Sequence, residues 1–184
     1  MTSSDRPIAR LSISPQDEPH SIVAEMFARI RAAGRRVLNI HRVVGLAPKP
    51  MRAQATYAQA MREESSLPRA LQELLILRIA QINGSEYEQS AHRGIARSLG
   101  VTPEQIRELP AWQGSKLYDE HQRAALGFIE QAAASGEVDD AVFAATQAVF
   151  SPQEIVELAA LVAWYVGNSR FVRALRIVPD QEQA

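Results

Sequence analysis

Apolar residues recur every three or four positions along most of the chain, which is the periodicity of amphipathic α-helices. The best-marked helix begins at Pro68, because proline favours the first helical position, and it ends at the turn formed by residues 83–85. Another helix follows over about 86–99, and Gly100 ends it. The short turn between them predicts an antiparallel helix hairpin over residues 68–99.

The same periodicity predicts further helices on both sides of this hairpin. Two of them begin with a capping box, in which a Ser or Thr is followed three residues later by Glu or Gln; these start at Thr102 and Ser151. The further predicted helices span about 22–34, 37–44, 51–62, 103–109, 117–134, 139–150 and 152–175. No segment alternates with period two, so we predict no sheet. The predicted fold class is all-α, a compact helical bundle around the central hairpin.

Both ends of the chain differ from this helical body. The first 18 residues are rich in Ser, Pro and Asp, which predicts a flexible N-terminal arm. We expect one all-helical domain over residues 19–178 and a loose tail over residues 179–184.

One segment of the hairpin has a counterpart near the C-terminus. The pattern Pro68–Leu71–Glu73–Leu74–Leu77 matches Pro152–Ile155–Glu157–Leu158–Leu161 without gaps. Internal duplication of a helical unit would explain this match, and so would chance among apolar-face positions.

Composition narrows the possible chemistry. The 184 residues are 46% hydrophobic and 22% charged, which suits one globular domain. They include no cysteine, and this excludes disulfides, thiolate metal sites and thiol-based redox mechanisms. The polar N-terminus is unlike a signal peptide and no uninterrupted apolar run approaches about 18 residues, so we expect a cytoplasmic protein with no membrane span.

Charge is unevenly distributed. Residues 1–62 carry ten Lys/Arg against four Asp/Glu, and residues 63–184 carry ten against seventeen. This asymmetry has two interpretations: the two halves attract each other, or arginines of the first half meet an anionic ligand. The arginines considered for that role are Arg29, Arg35, Arg36 and Arg42. Nucleic-acid binding is disfavoured, because the whole chain is not basic and only 6% of it is aromatic.

A candidate acid–base site lies in the hairpin. Glu88 and His92 are four residues apart, so they share one helix face, and the carboxylate can orient the imidazole and raise its pKa. Glu73 interrupts an apolar stripe. At about 1.5 Å per residue, the distances of Glu73 and His92 from the hairpin turn differ by only about 5 Å. The alternatives are an ordinary solvated pair on one helix, and a Glu73 that pairs with Arg69 or faces water.

The stretch LPRALQELLILRIAQINGSEYEQSAHRGIARSLGVTPEQI, residues 67–106, resembles the core motif of the carboxymuconolactone decarboxylase-like family. That superfamily also holds the alkylhydroperoxidase-type proteins, and the similarity extends over residues 20–176.

In the peroxidase branch a glutamate precedes a Cys-x-x-Cys-x-x-x-His motif. Glu73 and His92 match that glutamate and histidine, whereas Ser85 and Glu88 stand at the cysteine positions. Thiol peroxidase activity is therefore excluded. The chain looks like the cysteine-less branch, in which a Tyr-Glu pair precedes the histidine, although Gln89 replaces the usual tryptophan.

The resemblance implies a cofactor-independent decarboxylase-like enzyme that acts on a small carboxylated lactone or related anionic compound. His92 would supply a proton or hold an oxyanion, and Glu88 would orient it. Glu73 would act as a second acid–base group or set the charge of the pair, and Tyr87 would donate a hydrogen bond. Arg93, Ser85 and Arg42 are candidate substrate ligands. We expect no metal, because no second histidine and no cysteine accompany the carboxylates.

A second interpretation is a non-catalytic helical oligomer that binds a small molecule or a protein partner. The resemblance implies a trimer or hexamer. Trp164, Tyr165 and Phe171 are predicted to leave an apolar surface on the last helix, unless they belong to the core of one subunit.

Overall fold

The predicted hairpin forms the centre of the molecule in a computed structural model that describes residues 7–11, 13 and 21–180. Its two arms are α4 (Arg69–Ile82) and α5 (Glu86–Ser98). The helices before it are α1 (Ser21–Ala32), α2 (Asn39–Val44) and α3 (Pro48–Glu63). Those after it are α6 (Pro103–Glu108), α7 (Glu120–Ala134), α8 (Asp140–Gln147) and α9 (Pro152–Ala174), with a 3₁₀ helix at Leu109–Gly114. The described ranges contain no strand, and the all-α fold class is confirmed.

Three helix boundaries differ by three residues from the sequence-based ones, and two of these differences have a local reason. Helix α3 begins at Pro48 rather than near Met51, because a proline in the first turn lacks an N–H that would have no partner there. Helix α7 begins at Glu120 rather than at 117, because the Asp119 side chain caps it in a box with Gln122. Helix α8 ends at Gln147, three residues earlier than predicted.

Helix α4 is the core helix of the bundle. Residues 71–77 are buried without interruption, which means that both the apolar stripe and the polar side chains among them face other protein atoms. It packs against α5, α7 and α9. The largest apolar cluster joins these helices through Leu74, Leu75, Leu77, Ile79, Leu126, Ile129, Leu158 and Leu161.

Helix α9 is the other long apolar element. Among the described residues, α9 is the one helix that is long and apolar enough to cross a membrane, by length and composition only. Its residues Leu158, Leu161 and Val162, however, lie in the same core as α4. The predicted apolar surface of Trp164, Tyr165 and Phe171 is wrong for Tyr165, which is buried. Trp164 and Phe171 are half-buried, and the Trp164 ring lies 4.9 Å from that of Tyr57 on α3.

The two ends of the described chain pack together. Ile8 and Ala9 are buried, and the Val178 N–H donates to the Ile8 carbonyl at 2.9 Å. The Arg10 N–H donates to the Leu175 carbonyl at 2.8 Å. The remainder of the expected arm, residues 1–6, 12 and 14–18, and the tail residues 181–184 lie outside the described residues.

The two segments that match in sequence both lead into long helices, α4 and α9. Their glutamates, however, have different surroundings. Glu73 is buried, whereas Glu157 is half-buried and accepts hydrogen bonds from Ser65 Oγ at 2.7 Å and Ser66 Oγ at 2.8 Å. Internal duplication stays a prediction.

Candidate active site

The imidazole of His92 lies between two carboxylates. Its Nδ1 atom is 2.6 Å from Oε2 of Glu73 on α4, and its Nε2 atom is 3.5 Å from Oε2 of Glu88 on α5. The first distance is that of a short charge-assisted hydrogen bond, and the second lies at the outer limit of hydrogen bonding. The structure therefore brings together Glu73, Glu88 and His92, and it holds the Nδ1 side of the ring more tightly than the Nε2 side.

Both carboxylates are buried and bound on their other oxygen. Glu73 is 1% exposed and accepts from Arg69 Nη2 at 2.6 Å through Oε1. Glu88 is 2% exposed and accepts from Asn168 Nδ2 at 3.1 Å through Oε1. The Arg69–Glu73 pair that the sequence offered as an alternative is thus present together with the Glu73–His92 contact. Because buried charges need partners, these contacts allow two carboxylates to persist inside the bundle.

Local sequence explains how α5 presents its two site residues. Gly84 adopts a φ of +60°, which glycine accepts without strain, and this closes the turn between α4 and α5. Ser85 then caps α5, since its Oγ accepts from the Glu88 N–H at 3.4 Å. The resulting first turn of α5 carries Glu88, where the helix dipole favours a negative charge.

The surroundings of His92 favour its protonated form. Burial acts to lower the pKa of His92, but the hydrogen bonds to Glu73 and Glu88 and their negative charges outweigh it and raise the pKa to about 9. Near neutral pH the side chain is an imidazolium, with an N–H on both nitrogens. It is therefore suited to donate a proton or stabilise an oxyanion, and not to remove a proton.

Tyr165 of α9 completes the wall around His92. The two rings meet edge to face with centroids 5.2 Å apart. Burial, followed by the charges of Glu88 and Glu73, raises the pKa of Tyr165, so its phenol stays protonated. Sequence analysis placed Tyr165 on an apolar face and did not single out Asn168. The spacing of Tyr165 and Asn168 is a signal that could have found them, because residues three apart share one face of a helix.

The other predicted site residues lie elsewhere. The Tyr87 hydroxyl donates to Oδ2 of Asp180 at 3.0 Å and accepts from the Ile40 N–H at 3.2 Å, so it joins the C-terminal segment to α2. Ser85 is buried as the cap of α5.

The two predicted arginine ligands are separated from each other. Arg93 is exposed on α5, whereas the guanidinium of Arg42 lies 6.0 Å from the centre of the Phe27 ring of α1. Neither is among the residues that contact Glu73, Glu88 or His92 in the described contacts, and their roles as substrate ligands stay predictions.

Comparison with solved structures defines the class of fold. A peroxidase-related protein from Ralstonia eutropha JMP134, described as an alkylhydroperoxidase core, has a TM-score of 0.83 at 20% identity, covering 96% of this chain and 94% of that one. A peroxidase-related protein from Silicibacter sp. TM1040 has a TM-score of 0.84 at 19% identity, covering 98% and 96%. The debrominase Bmp8, solved as a cysteine-to-alanine variant with 2,3,4-tribromopyrrole, has a TM-score of 0.72 at 19% identity, covering 92% and 94%. This chain therefore has the alkylhydroperoxidase-type fold.

A family model matches the central part of the sequence. Residues 48–131 match the model of the carboxymuconolactone decarboxylase family, and this region contains the whole α4–α5 hairpin. The chain is also similar to the uncharacterized protein YdfG of Bacillus subtilis (strain 168), at 28% identity over 102 residues, which is 54% of this chain and 69% of that protein.

Proposed function

We propose that this protein is a thiol-independent acid–base enzyme that decarboxylates a small carboxylated lactone or a related anionic compound, with His92 as the proton donor. The observation that carries the proposal is the ring of His92, held between Glu73 and Glu88 yet not sealed from solvent. Its side chain is 14% exposed, whereas the side chains of the two carboxylates are 1% and 3% exposed. A small ligand can therefore reach the ring while the groups that orient it stay dry.

The chemistry needs only one mobile proton. When the bond to the departing carboxylate breaks, CO₂ leaves and the electron pair moves into the conjugated lactone carbonyl to form a dienolate. The His92 imidazolium stabilises the developing oxyanion and then delivers a proton to carbon, after which water reprotonates the ring. Nε2 is the atom suited to this, because its 3.5 Å contact with Glu88 gives way to a ligand more easily than the 2.6 Å contact of Nδ1 with Glu73.

Similarity to other proteins supports catalysis without fixing the reaction. The family region contains Glu73, Glu88 and His92, and a debrominase shares the fold. Since one fold can support several reactions, the site residues must decide among them. Absence of cysteine removes any thiol route here and leaves acid–base chemistry at His92.

The test is turnover of γ-carboxymuconolactone, followed by the loss of lactone absorbance, by the wild-type protein and by His92→Gln. We expect wild-type turnover and a loss of at least about a hundredfold in the variant, because the proton donor is removed. His121→Gln is the matched control. Because His121 lies on the exposed face of α7 against Phe150, this variant should keep the wild-type turnover.

Two results would contradict the proposal. One is a wild-type protein that converts neither γ-carboxymuconolactone nor any of a panel of small carboxylated lactones. The other is a folded His92→Gln protein with wild-type turnover. A non-catalytic oligomer predicts instead that substitutions at Glu73 and His92 alter the sedimentation behaviour of the protein, and that no lactone is consumed.

A further inference from the structure

The guanidinium of Arg62 differs in its contacts from that of Arg69. Arg62 lies in the last turn of α3, it is half-buried, and its guanidinium makes no hydrogen bond or ion pair with any residue in the described part of the chain. Arg69, by contrast, is bound to Glu73 at 2.6 Å and to Gln72 at 2.8 Å. Arg62 is therefore a partly desolvated cation whose guanidinium is available to an added anion.

The packing of α3 brings its C-terminal half against α9, the helix that carries Tyr165. The Tyr57 ring lies 4.9 Å from that of Trp164, and the Tyr57 hydroxyl donates to the Ala160 carbonyl at 3.3 Å. Met61 packs against the main core. These contacts fix the C-terminal half of α3 on α9, close enough for the Arg62 charge to act on Tyr165, whose ring contacts His92.

The electrostatic surroundings of Arg62 are unfavourable in the ligand-free protein. Burial is the main factor that lowers the pKa of Arg62; the positive charges of Arg35 and Arg69 lower it further, and Tyr165 and Glu63 oppose them. Two other guanidinium groups thus repel that of Arg62. An anion bound among them would relieve the repulsion and supply the missing hydrogen-bond acceptor.

We propose that Arg62 binds a carboxylate of the substrate next to His92, with the charge of Arg69 behind it, and that it is the specificity-determining residue for anionic substrates. This inference rests on the proposed function. Arginine suits the role, since its planar fork can take both oxygens of a carboxylate. Arg62 is a further candidate beside Arg93 and Arg42: its charge acts on Tyr165, as that of Arg69 does, but Arg69 is already bound to Glu73.

The chemistry indicates which carboxylate Arg62 holds. A carboxylate that leaves as CO₂ loses its charge in the transition state, so an ion pair with it would stabilise the substrate more than the transition state. A carboxylate that stays on the product keeps its charge throughout. Arg62 therefore holds the retained carboxylate, and its ligand class is a small acid that keeps a carboxylate after the reaction.

The test measures binding separately from turnover. Succinate is the probe and succinamide is its uncharged counterpart, with affinity measured by isothermal titration calorimetry and Tm recorded with and without the probe. We expect succinate to bind the wild-type protein and raise its Tm, and Arg62→Gln to weaken succinate binding about tenfold or more. Arg52→Gln, on an exposed arginine of the same helix, should bind succinate like the wild type.

The stability of the ligand-free variant separates a binding role from a structural one. Since Arg62 is a partly desolvated cation among like charges, Arg62→Gln should leave the Tm without succinate unchanged or raise it. If the enzyme turns over a lactone, the same variant should raise KM and leave kcat within a few-fold, as expected for uniform binding of the retained carboxylate.

Three results would overturn the inference. They are succinate affinity in Arg62→Gln equal to that of the wild type, a ligand-free Tm that falls by several degrees in Arg62→Gln, and wild-type binding of succinamide as strong as that of succinate. Loss of succinate binding in Arg62→Gln without any lactone turnover by the wild type would leave Arg62 as an anion-binding residue and reject the proposed function alone.

Discussion

His92 Nδ1 and Glu73 Oε2 lie 2.6 Å apart, although the two residues belong to different helices and are nineteen positions apart in the chain. The same carboxylate is bound to Arg69 through its other oxygen at 2.6 Å. Arg69, Glu73 and His92 therefore form a chain of alternating charges from the N-terminal turn of α4 to the partly exposed ring. This arrangement fixes the Nδ1–H of the imidazolium and leaves Nε2 as the adjustable donor.

The first prediction concerns pH and His92. The pKa of His92 is raised from 6.5 to about 9. The protonated ring therefore stabilises the folded protein fully below pH 6.5, and this stabilisation is lost as the pH rises from 6.5 through about 9. Turnover should fall over the same upper range, because the proton donor is then neutral. NMR titration of the His92 ring measures this directly. Glu73→Gln should move the midpoint downward, and a His92 midpoint near 6.5 in the wild type would contradict the prediction.

The second prediction ranks the two carboxylates. Glu73→Gln removes a charge paired with both Arg69 and His92 in a buried position, and should cost about 2–3 kcal/mol of unfolding free energy. Glu88→Gln loses only a 3.5 Å contact with His92 and can keep a hydrogen bond to Asn168, so it should cost about 1 kcal/mol. Urea denaturation measures both.

The control for this comparison is Glu104→Gln. The Glu104–Arg107 pair is exposed and its nearest atoms are 3.8 Å apart, so its loss should change stability by no more than about 0.5 kcal/mol. Equal costs for Glu73→Gln and Glu88→Gln would show that the contacts of Glu73 with Arg69 and His92 are not the stronger set.

The third prediction separates a structural from a catalytic Tyr87. Tyr87→Phe removes hydrogen bonds to Asp180 and the Ile40 N–H, and should cost about 1–2 kcal/mol while turnover stays within a few-fold. Hydrogen exchange should increase in α2 and in residues 177–180. In Tyr118→Phe, which loses a hydroxyl bond to the Gln105 carbonyl, exchange at those positions should not change. The catalytic role predicted from sequence requires the reverse: a large loss of turnover and little change in exchange.

The fourth prediction concerns acid stability and His41. Burial is the main cause that lowers the pKa of His41 to about 4, with the charges of Arg35 and Arg62 acting in the same direction and that of Asp180 opposing them. In the unfolded chain His41 binds a proton below about pH 6.5, whereas in the folded protein it binds one only below about pH 4. The free energy of unfolding should therefore fall as the pH drops from 6.5 to 4. The slope contributed by His41 is at most about 1.4 kcal/mol per pH unit.

His41→Ala should flatten that pH dependence and also remove the hydrogen bond from the Leu38 N–H to His41 Nδ1, which is 3.0 Å long. Urea denaturation at several pH values measures both effects. His121→Ala should keep the wild-type slope, and a wild-type slope in His41→Ala would assign the acid sensitivity to other groups.

Sequence predicted the helices well where periodicity and turn chemistry agree. The α4–α5 hairpin carries a proline at one end, a glycine turn in the middle and Gly100 at the other end, and it forms as expected. Predicted boundaries were wrong where a cap was not recognised, as at Asp119, and where a proline begins the helix, as at Pro48. Both errors concern one turn of helix and leave the fold class unchanged.

The site was predictable only where its residues lie in one hairpin. Helical spacing and depth bring Glu73, Glu88 and His92 to the same level, and the structure places them in contact. Tyr165 and Asn168 reach the site through the packing of α9, and Arg62 approaches it through that of α3. These relationships depend on how distant helices cross, which the periodicity of a single helix does not encode.

The pairing of Ile8 with Val178 makes the chain nearly a closed ring. A linker that joins the segments at Ile8 and Val178 would allow a circular permutant, with new ends opened at an exposed turn such as that of Gly136 between α7 and α8. The order of helices along the gene would then change while the α4–α5 hairpin remained uncut.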